Sequence, residues 1–124
     1  MKILSAEQVR AWDKYTIDNE PISSFDLMER AALAFIYWFT SLYSSEKNVF
    51  VFCGTGNNGG DGLAIARLLH QRFFNVQIFI CKISKNETED FKKNILKYCL
   101  IVPKYCPKGM PSARGISMKE MHFR

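Results

Sequence analysis

Apolar positions recur along this chain with two periods, and the switch between them marks the elements. Residues 5–19, SAEQVRAWDKYTIDN, place Val9, Trp12 and Thr16 on one face at helical spacing. Ser5 followed by Gln8 has the spacing of a capping box, in which each residue's side chain satisfies the other's backbone N–H. Pro21 stops the segment. A second helix is predicted from Ser23 or Ser24 to about Tyr43, again with capping-box spacing between Ser23 and Asp26. Two apolar stripes run along it side by side: Phe25, Met28, Ala32, Phe35 and Phe39, then Leu27, Ala31, Ala34, Trp38 and Leu42. A helix apolar over that much of its girth is covered on more than one side. Either its own domain or a partner subunit supplies the second cover.

From residue 48 the period changes. VFVFC at 49–53 is a continuous apolar run of strand length, which suits a central parallel strand buried on both faces. The segment GTGNNGGDG follows at 54–62, and then a helix in which Leu63, Ala66, Leu69 and Phe73 share a face. VQIFIC at 76–81 reads as a second buried strand. NETEDFKKNILKY at 86–98 reads as a third helical segment, acidic first and basic later as the helix dipole favours. LIV at 100–102 reads as the start of a further strand. The order strand, glycine turn, helix, strand, helix predicts an α/β fold: a Rossmann-like open parallel sheet with flanking helices. The remainder, PKYCPKGMPSARGISMKEMHFR, sustains no period. The expectation is therefore the front part of a larger fold, truncated, followed by a divergent, poorly ordered basic tail over 97–124.

Composition narrows the function classes. A chain of 124 residues fits one domain. MKILSAEQ turns polar too early for a signal peptide, and AALAFIYWF at 31–39 is too short to span a membrane. The net charge of +5 hints at nucleic acid until it is located. Residues 1–96 carry eleven basic and eleven acidic side chains, so the excess belongs wholly to the tail. A short basic tail without a folded recognition element does not argue for nucleic-acid binding. Cys53, Cys81, Cys99 and Cys106 have no CxxC spacing and read as reduced thiols, with a disulfide set or zinc site as the weaker alternative. A cytoplasmic location follows.

The chemistry concentrates in the glycine segment. In open α/β sheets, ligands collect beyond the carboxyl ends of the strands. A helix starting there offers unpaired N–H groups and the positive end of its dipole. Gly54, Gly56, Gly59 and Gly60 permit positive φ and a close approach of ligand to backbone. Asn57 and Asn58 donate and accept, and Asp61 is placed to cap the helix or meet a ligand hydroxyl. The segment is neither GxGxxG nor a P-loop, and a glycine-rich turn can be simply a turn. Its composition favours a dinucleotide or other phosphate-bearing ligand, or a cation held by amide and backbone oxygens. His70 reads as a partly exposed helix residue, and Asp13, Asp18, Asp26 and Glu29 as capping or surface carboxylates. Asp26 and Arg30, four apart, are spaced to pair.

Taken together, MKILSAEQVRAWDKYTIDNEPISSFDLMERAA and VFVFCGTGNNGGDGLAIARLL resemble the NAD(P)H-hydrate epimerase family, the YjeF N-terminal domain. The likeness covers about residues 1–96, roughly the first half of such a domain. It implies an enzyme that interconverts the R and S forms of hydrated NADH and NADPH, so that a partner or fused ADP/ATP-dependent dehydratase can restore the cofactor. It also implies a homodimer, here through helix 24–43. By the same resemblance Asn57, Asn58, Gly59, Gly60 and Asp61 line the substrate site, and Asn58 ligates a potassium ion. Thr55 stands where the family more often has proline. The family's later GTGL-like turn and its D-x-PSG segment, whose aspartate belongs to catalysis, have no match in residues 97–124. The expectation is an epimerase sequence lacking its catalytic second half. The alternative is a non-catalytic nucleotide- or protein-binding remnant.

Overall fold

The structure is a computed structural model that describes residues 3–82 and 86–101 and the backbone of 119–122. Four helices and three strands follow in order: α1 (Ala6–Asn19), α2 (Ser24–Leu42), β1 (Asn48–Cys53), α3 (Asn57–Gln71), β2 (Asn75–Lys82), α4 (Glu89–Ile101) and β3 (Lys119–His122). Both predicted caps form. Gln8 N donates to Ser5 Oγ and Ser5 N to Gln8 Oε1, while Asp26 N donates to Ser23 Oγ at 3.1 Å. The sheet runs β1-β2-β3, parallel throughout, with Asn48 opposite Asn75 and Phe79 opposite Lys119. This is the Rossmann-like α/β arrangement expected from the element order. Residues 97–101 of the predicted tail complete α4, and Lys119–His122 form β3. The other residues of that tail lie outside the described set.

One face of the sheet carries the core. Val76, Ile78 and Ile80 of β2 and Cys53 of β1 pack with Leu63, Ala66 and Leu69 of α3, with Ala32 and Ile36 of α2, and with Phe91, Ile95 and Tyr98 of α4. Among the described residues, no element covers the opposite face. Phe50 is 55% exposed and Phe52 63%. The strand VFVFC is thus buried on one face only, and VQIFIC alternates likewise, with Gln77 exposed and Phe79 half-buried. Both depart from the expectation of strands covered on both sides. The reason is that α2, α3 and α4 join one common core, and no described element covers the other face.

Helix ends supply three further corrections. Leu100 and Ile101 of the LIV segment are helical, because α4 continues through Ile101, and Val102 lies outside the described residues. Phe73 does not share the buried face of α3: the helix ends at Gln71, and Phe73 is 88% exposed with φ of 65°. There, Phe74 N donates to Leu69 O and Phe73 N to His70 O, the paired bonds of a Schellman cap that usually recruits glycine. Arg30 pairs with Glu20 at 2.8 Å rather than with Asp26, whose carboxylate accepts from Ser23 Oγ. Cys53 and Cys81 are free, as expected, but Cys99 is disulfide-bonded.

α2 buries Met28, Ala32 and Ile36. The second sequence stripe remains exposed at Ala31, Ala34, Trp38 and Leu42, with Phe35 and Tyr37 beside it. α1 buries only Thr16 and exposes Val9, Trp12 and Tyr15. Among the described residues, no helix is long and apolar enough to cross a membrane.

Candidate functional site

The glycine turn joins the carboxyl end of β1 to the start of α3. Gly56 is the N-cap in extended backbone, and Gly60 N donates to Gly56 O at 3.0 Å to open the helix. No side chain caps this end and no acid occupies the first turn. Its free N–H groups and dipole thus meet no competing charge within the turn. Asn57 and Asn58 are exposed at the first two helical positions, while Gly59 and Gly60 are buried behind them.

Glycine is required here by crowding. A Cβ on Gly59 would stand 1.8 Å from Gly54 O and 2.6 Å from Gly54 C. One on Gly60 would meet Met28 Sδ at 2.9 Å, and one on Gly62 would meet Cys53 Sγ at 2.8 Å. None of the glycines between 54 and 62 lies in the left-handed region, so the expected positive φ gives way to close approach as the reason. The helix starts pressed against the strand it follows, and only a hydrogen fits between them.

The turn is tied to the next loop by Thr55. Its buried hydroxyl donates to Asn86 O at 2.9 Å, and Thr88 N donates back to Thr55 O at 3.0 Å. Thr88 then caps α4, its Oγ1 accepting from Phe91 N at 3.3 Å. The start of α2 joins the group, because Ser24 Oγ donates to Asp90 Oδ2 at 2.6 Å. Thr55 stood out in the sequence only as a departure from proline, and proline has no hydroxyl to make this bond. The strap itself could not be seen without the fold.

Asp61 is the fifth residue of α3 and caps nothing, contrary to one of its two sequence roles. It is half-buried, and burial pushes its carboxyl up to about 6, with smaller contributions from the charges of Asp13 and Asp90. Those two acids come from α1 and α4, and no spacing in the sequence links them to Asp61. The fold thus brings a readily protonated carboxyl to the wall formed by Asn57–Gly60. Among the described residues, no group of three His, Cys, Asp or Glu side chains is placed to hold a metal ion.

A charge cluster centred on the buried Arg67 joins α2, α3 and α4. Arg67 Nη2 donates to both carboxylate oxygens of Glu29, and Lys97 Nζ stands 3.2 Å from Glu29 Oε2. Glu29, expected on the surface, instead clasps α3 and α4 to α2. Asn94 is fully buried beside it and donates to Met28 Sδ at 3.1 Å and to Asp90 O at 3.0 Å. The cleft of about 290 Å³ between α1 and α2, lined by Trp12, Asp13, Thr16, Leu27 and Arg30 among others, contains none of residues 54–62.

The profile of the family described as YjeF-related protein N-terminus matches residues 24–105, which include the turn and the charge cluster. The chain belongs to that family. It is similar to the NAD(P)H-hydrate epimerase of Limosilactobacillus reuteri strain ATCC 55730, 49% identical over 78 residues. That match covers 62% of this chain and 37% of the relative. It is also similar to the NAD(P)H-hydrate epimerase of Oenococcus oeni, 40% identical over 94 residues, covering 72% of this chain and 45% of the relative. Among solved structures, that of the yeast protein YNL200c superposes with a TM-score of 0.61 at 31% identity, covering 82% of this chain and 45% of the yeast one. The family chain described here therefore spans less than half the length of the curated relatives it matches.

Proposed function

We propose that this chain is the substrate-holding front part of an NAD(P)H-hydrate epimerase, acting in nicotinamide-cofactor repair on the R and S forms of hydrated NADH and NADPH. The single observation that carries the reading is the uncapped start of α3, where Asn57–Asp61 present backbone and amide groups beside family members' names that all state this activity. The N–H groups of α3 suit the diphosphate of a dinucleotide. Gly59 and Gly60 allow the ligand to lie against backbone. Asn57 donates to or accepts from the ligand, and Asp61 accepts from one of its hydroxyls.

Potassium fits the same wall in part. The Asn58 side chain is exposed and makes no hydrogen bond among the described residues, so its neutral oxygen is free to ligate. Carbonyl-type oxygens are the donors that alkali and other hard cations take. One such oxygen is only part of a coordination shell, and Asn58 would hold the ion's near side. Bound there, the ion would offset negative charge on the substrate. The proton transfer that inverts the carbon falls to a carboxylate outside residues 54–62, as the family's D-x-PSG segment implies.

The exposed stripe of α2, with Trp38 and Leu42, is the proposed homodimer surface. The enzyme would work in the cytoplasm beside an ADP/ATP-dependent dehydratase. A second reading, a nucleotide- or protein-binding remnant without turnover, is favoured by the short span relative to the relatives.

The deciding experiment follows epimerisation of one purified diastereomer of hydrated NADH by a fusion of this chain to the unmatched part of the Limosilactobacillus reuteri relative, in potassium and in sodium. Potassium-dependent turnover lost in Asn58→Ala is the expected result. Binding with no turnover in either salt selects the remnant, and no binding at all refutes both.

A further inference from the structure

The carboxyl end of β2 lies beside the glycine turn and carries a cation. β1 and β2 are adjacent and parallel, and their last pair is Cys53 with Ile80. Lys82 stands two residues beyond that pair and closes β2. Val76, Ile78 and Ile80 alternate into the core with α3, and Lys82 continues that alternation. It therefore sits half-buried on the α3 side of the sheet, at the level where the chain leaving β1 turns into helix. The loop after Lys82 is tied to that turn, because Thr55 Oγ1 donates to Asn86 O and Thr88 N donates to Thr55 O.

The sheet order β1-β2-β3, with the glycine turn after β1, is that of one dinucleotide-binding half-fold. In such folds the residue at the end of the second strand meets the ribose of the adenosine half. A carboxylate there, about 20 residues after the glycine segment, accepts from the 2′-hydroxyl of a non-phosphorylated dinucleotide, whereas a cation accommodates a 2′-phosphate. In this chain Lys82 lies 20 residues after Gly62, the last glycine of the turn. Between Asp61 and Glu87 the sequence contains no Asp or Glu. Glu87 is exposed, and its charge acts on Lys92, which pairs with Glu89 at 2.8 Å. Neither β2 nor the segment following it to Asn86 supplies a carboxylate for the ribose hydroxyls. A phosphate at that strand end meets an ammonium instead.

We propose that Lys82 is a specificity-determining residue of this site, contacting the 2′-phosphate of a phosphorylated dinucleotide, so that hydrated NADPH binds in preference to hydrated NADH. The diphosphate lies on the N–H groups that open α3, and the adenosine ribose then falls past the end of β2. The Lys82 ammonium offers three donors and a full charge to the phosphate, a charge-assisted contact that the 2′-hydroxyl of NADH does not match. The hydrated ring in this statement rests on the epimerase reading, whereas the selection of phosphate needs only a dinucleotide on α3.

The test titrates the 124-residue chain with hydrated NADPH and with hydrated NADH by calorimetry, at low and at high ionic strength. The parent is expected to bind hydrated NADPH about tenfold tighter or more, with the advantage shrinking as salt rises. Lys82→Gln is expected to erase the advantage by weakening hydrated NADPH alone. Lys82→Arg is expected to keep it, since a guanidinium also grips phosphate. Lys82→Glu is expected to reverse it, because a carboxylate repels the phosphate and accepts from the 2′-hydroxyl. Equal affinities in the parent overturn the proposal, and so does a preference that survives Lys82→Gln. A purely structural Lys82 would weaken both hydrates together in Lys82→Gln, and that result overturns it as well. Selective binding by the chain, with no turnover by the fusion described above, sinks the epimerase reading alone. Turnover by the fusion with equal affinities sinks the phosphate contact alone, and binding of neither hydrate refutes both.

Discussion

The carbonyl oxygen of Gly54 lies where a Cβ on Gly59 would stand only 1.8 Å away. The turn between β1 and α3 is therefore closed by contact between its own two ends. Gly59→Ala is expected to destabilise the chain by about 1–3 kcal/mol or more, because backbone must move to admit the methyl group. Gly54→Ala, with nothing within 4 Å of its Cβ position, is expected to stay within about 0.5 kcal/mol of the parent. Urea melts of the two variants check this, and equal midpoints would show that the contact is not what fixes glycine at 59.

Asp61 gives the site a pH dependence whose sign is fixed. Its carboxyl is raised from 3.8 to about 6, so the folded state holds the proton more tightly than the unfolded chain. The associated stability is full below about pH 4 and is lost as pH rises through about 6. Asp61→Asn removes the ionisation and is expected to stabilise the chain at pH 7 by about 1–2 kcal/mol, after allowance for solvent screening of a half-exposed group. Thermal melts of parent and variant between pH 4 and 8 should converge at the acid end, part between about pH 4 and 6, and stay apart by a constant offset above that. Parallel curves would assign the carboxyl an ordinary environment.

Glu29 is the sole carboxylate paired with Arg67 among the described residues, and Arg67 is 3% exposed. Glu29→Ala leaves a buried guanidinium uncompensated, and a loss of about 3–5 kcal/mol is expected. The double change Glu29→Leu with Arg67→Met is expected to recover most of that loss, because both desolvated charges are then gone. A double-mutant cycle by denaturation measures it, and additive losses would mean the two side chains do not interact.

Phe73 occupies the left-handed position of the α3 cap with its ring 88% exposed. Phe73→Gly relieves the steric cost of that backbone and sacrifices little burial. An increase of up to about 1 kcal/mol is expected, and a decrease would mean the ring is engaged.

Much of the fold was legible because local rules set it. Ser5 with Gln8 and Ser23 with Asp26 announced two helix starts, and the apolar runs at 49–53 and 76–81 announced two strands. The strand runs also misled, since VFVFC is equally apolar whether one face or two are covered. Phe50 and Phe52 carry no mark of facing outward. Phe73 misled because the periodicity of α3 continues past its cap, and nothing local shows that the chain turns left-handed there. The glycine turn was legible as a place, through its position between strand and helix. The reason for Gly59 was not, because its neighbour Gly54 meets it only after the turn closes. Glu29, Arg67 and Lys97 lie on three separate helices, as Asp13, Asp61 and Asp90 do, and no one-dimensional spacing joins them.

The most direct test of the site follows the backbone amides of Gly54–Gly62 by NMR as hydrated NADH is added to the 124-residue chain. The account expects saturable shifts centred on Asn57, Asn58, Gly59, Gly60 and Asp61, abolished in Gly59→Val. Saturable binding that leaves those five amides unmoved, or that survives Gly59→Val, would contradict it.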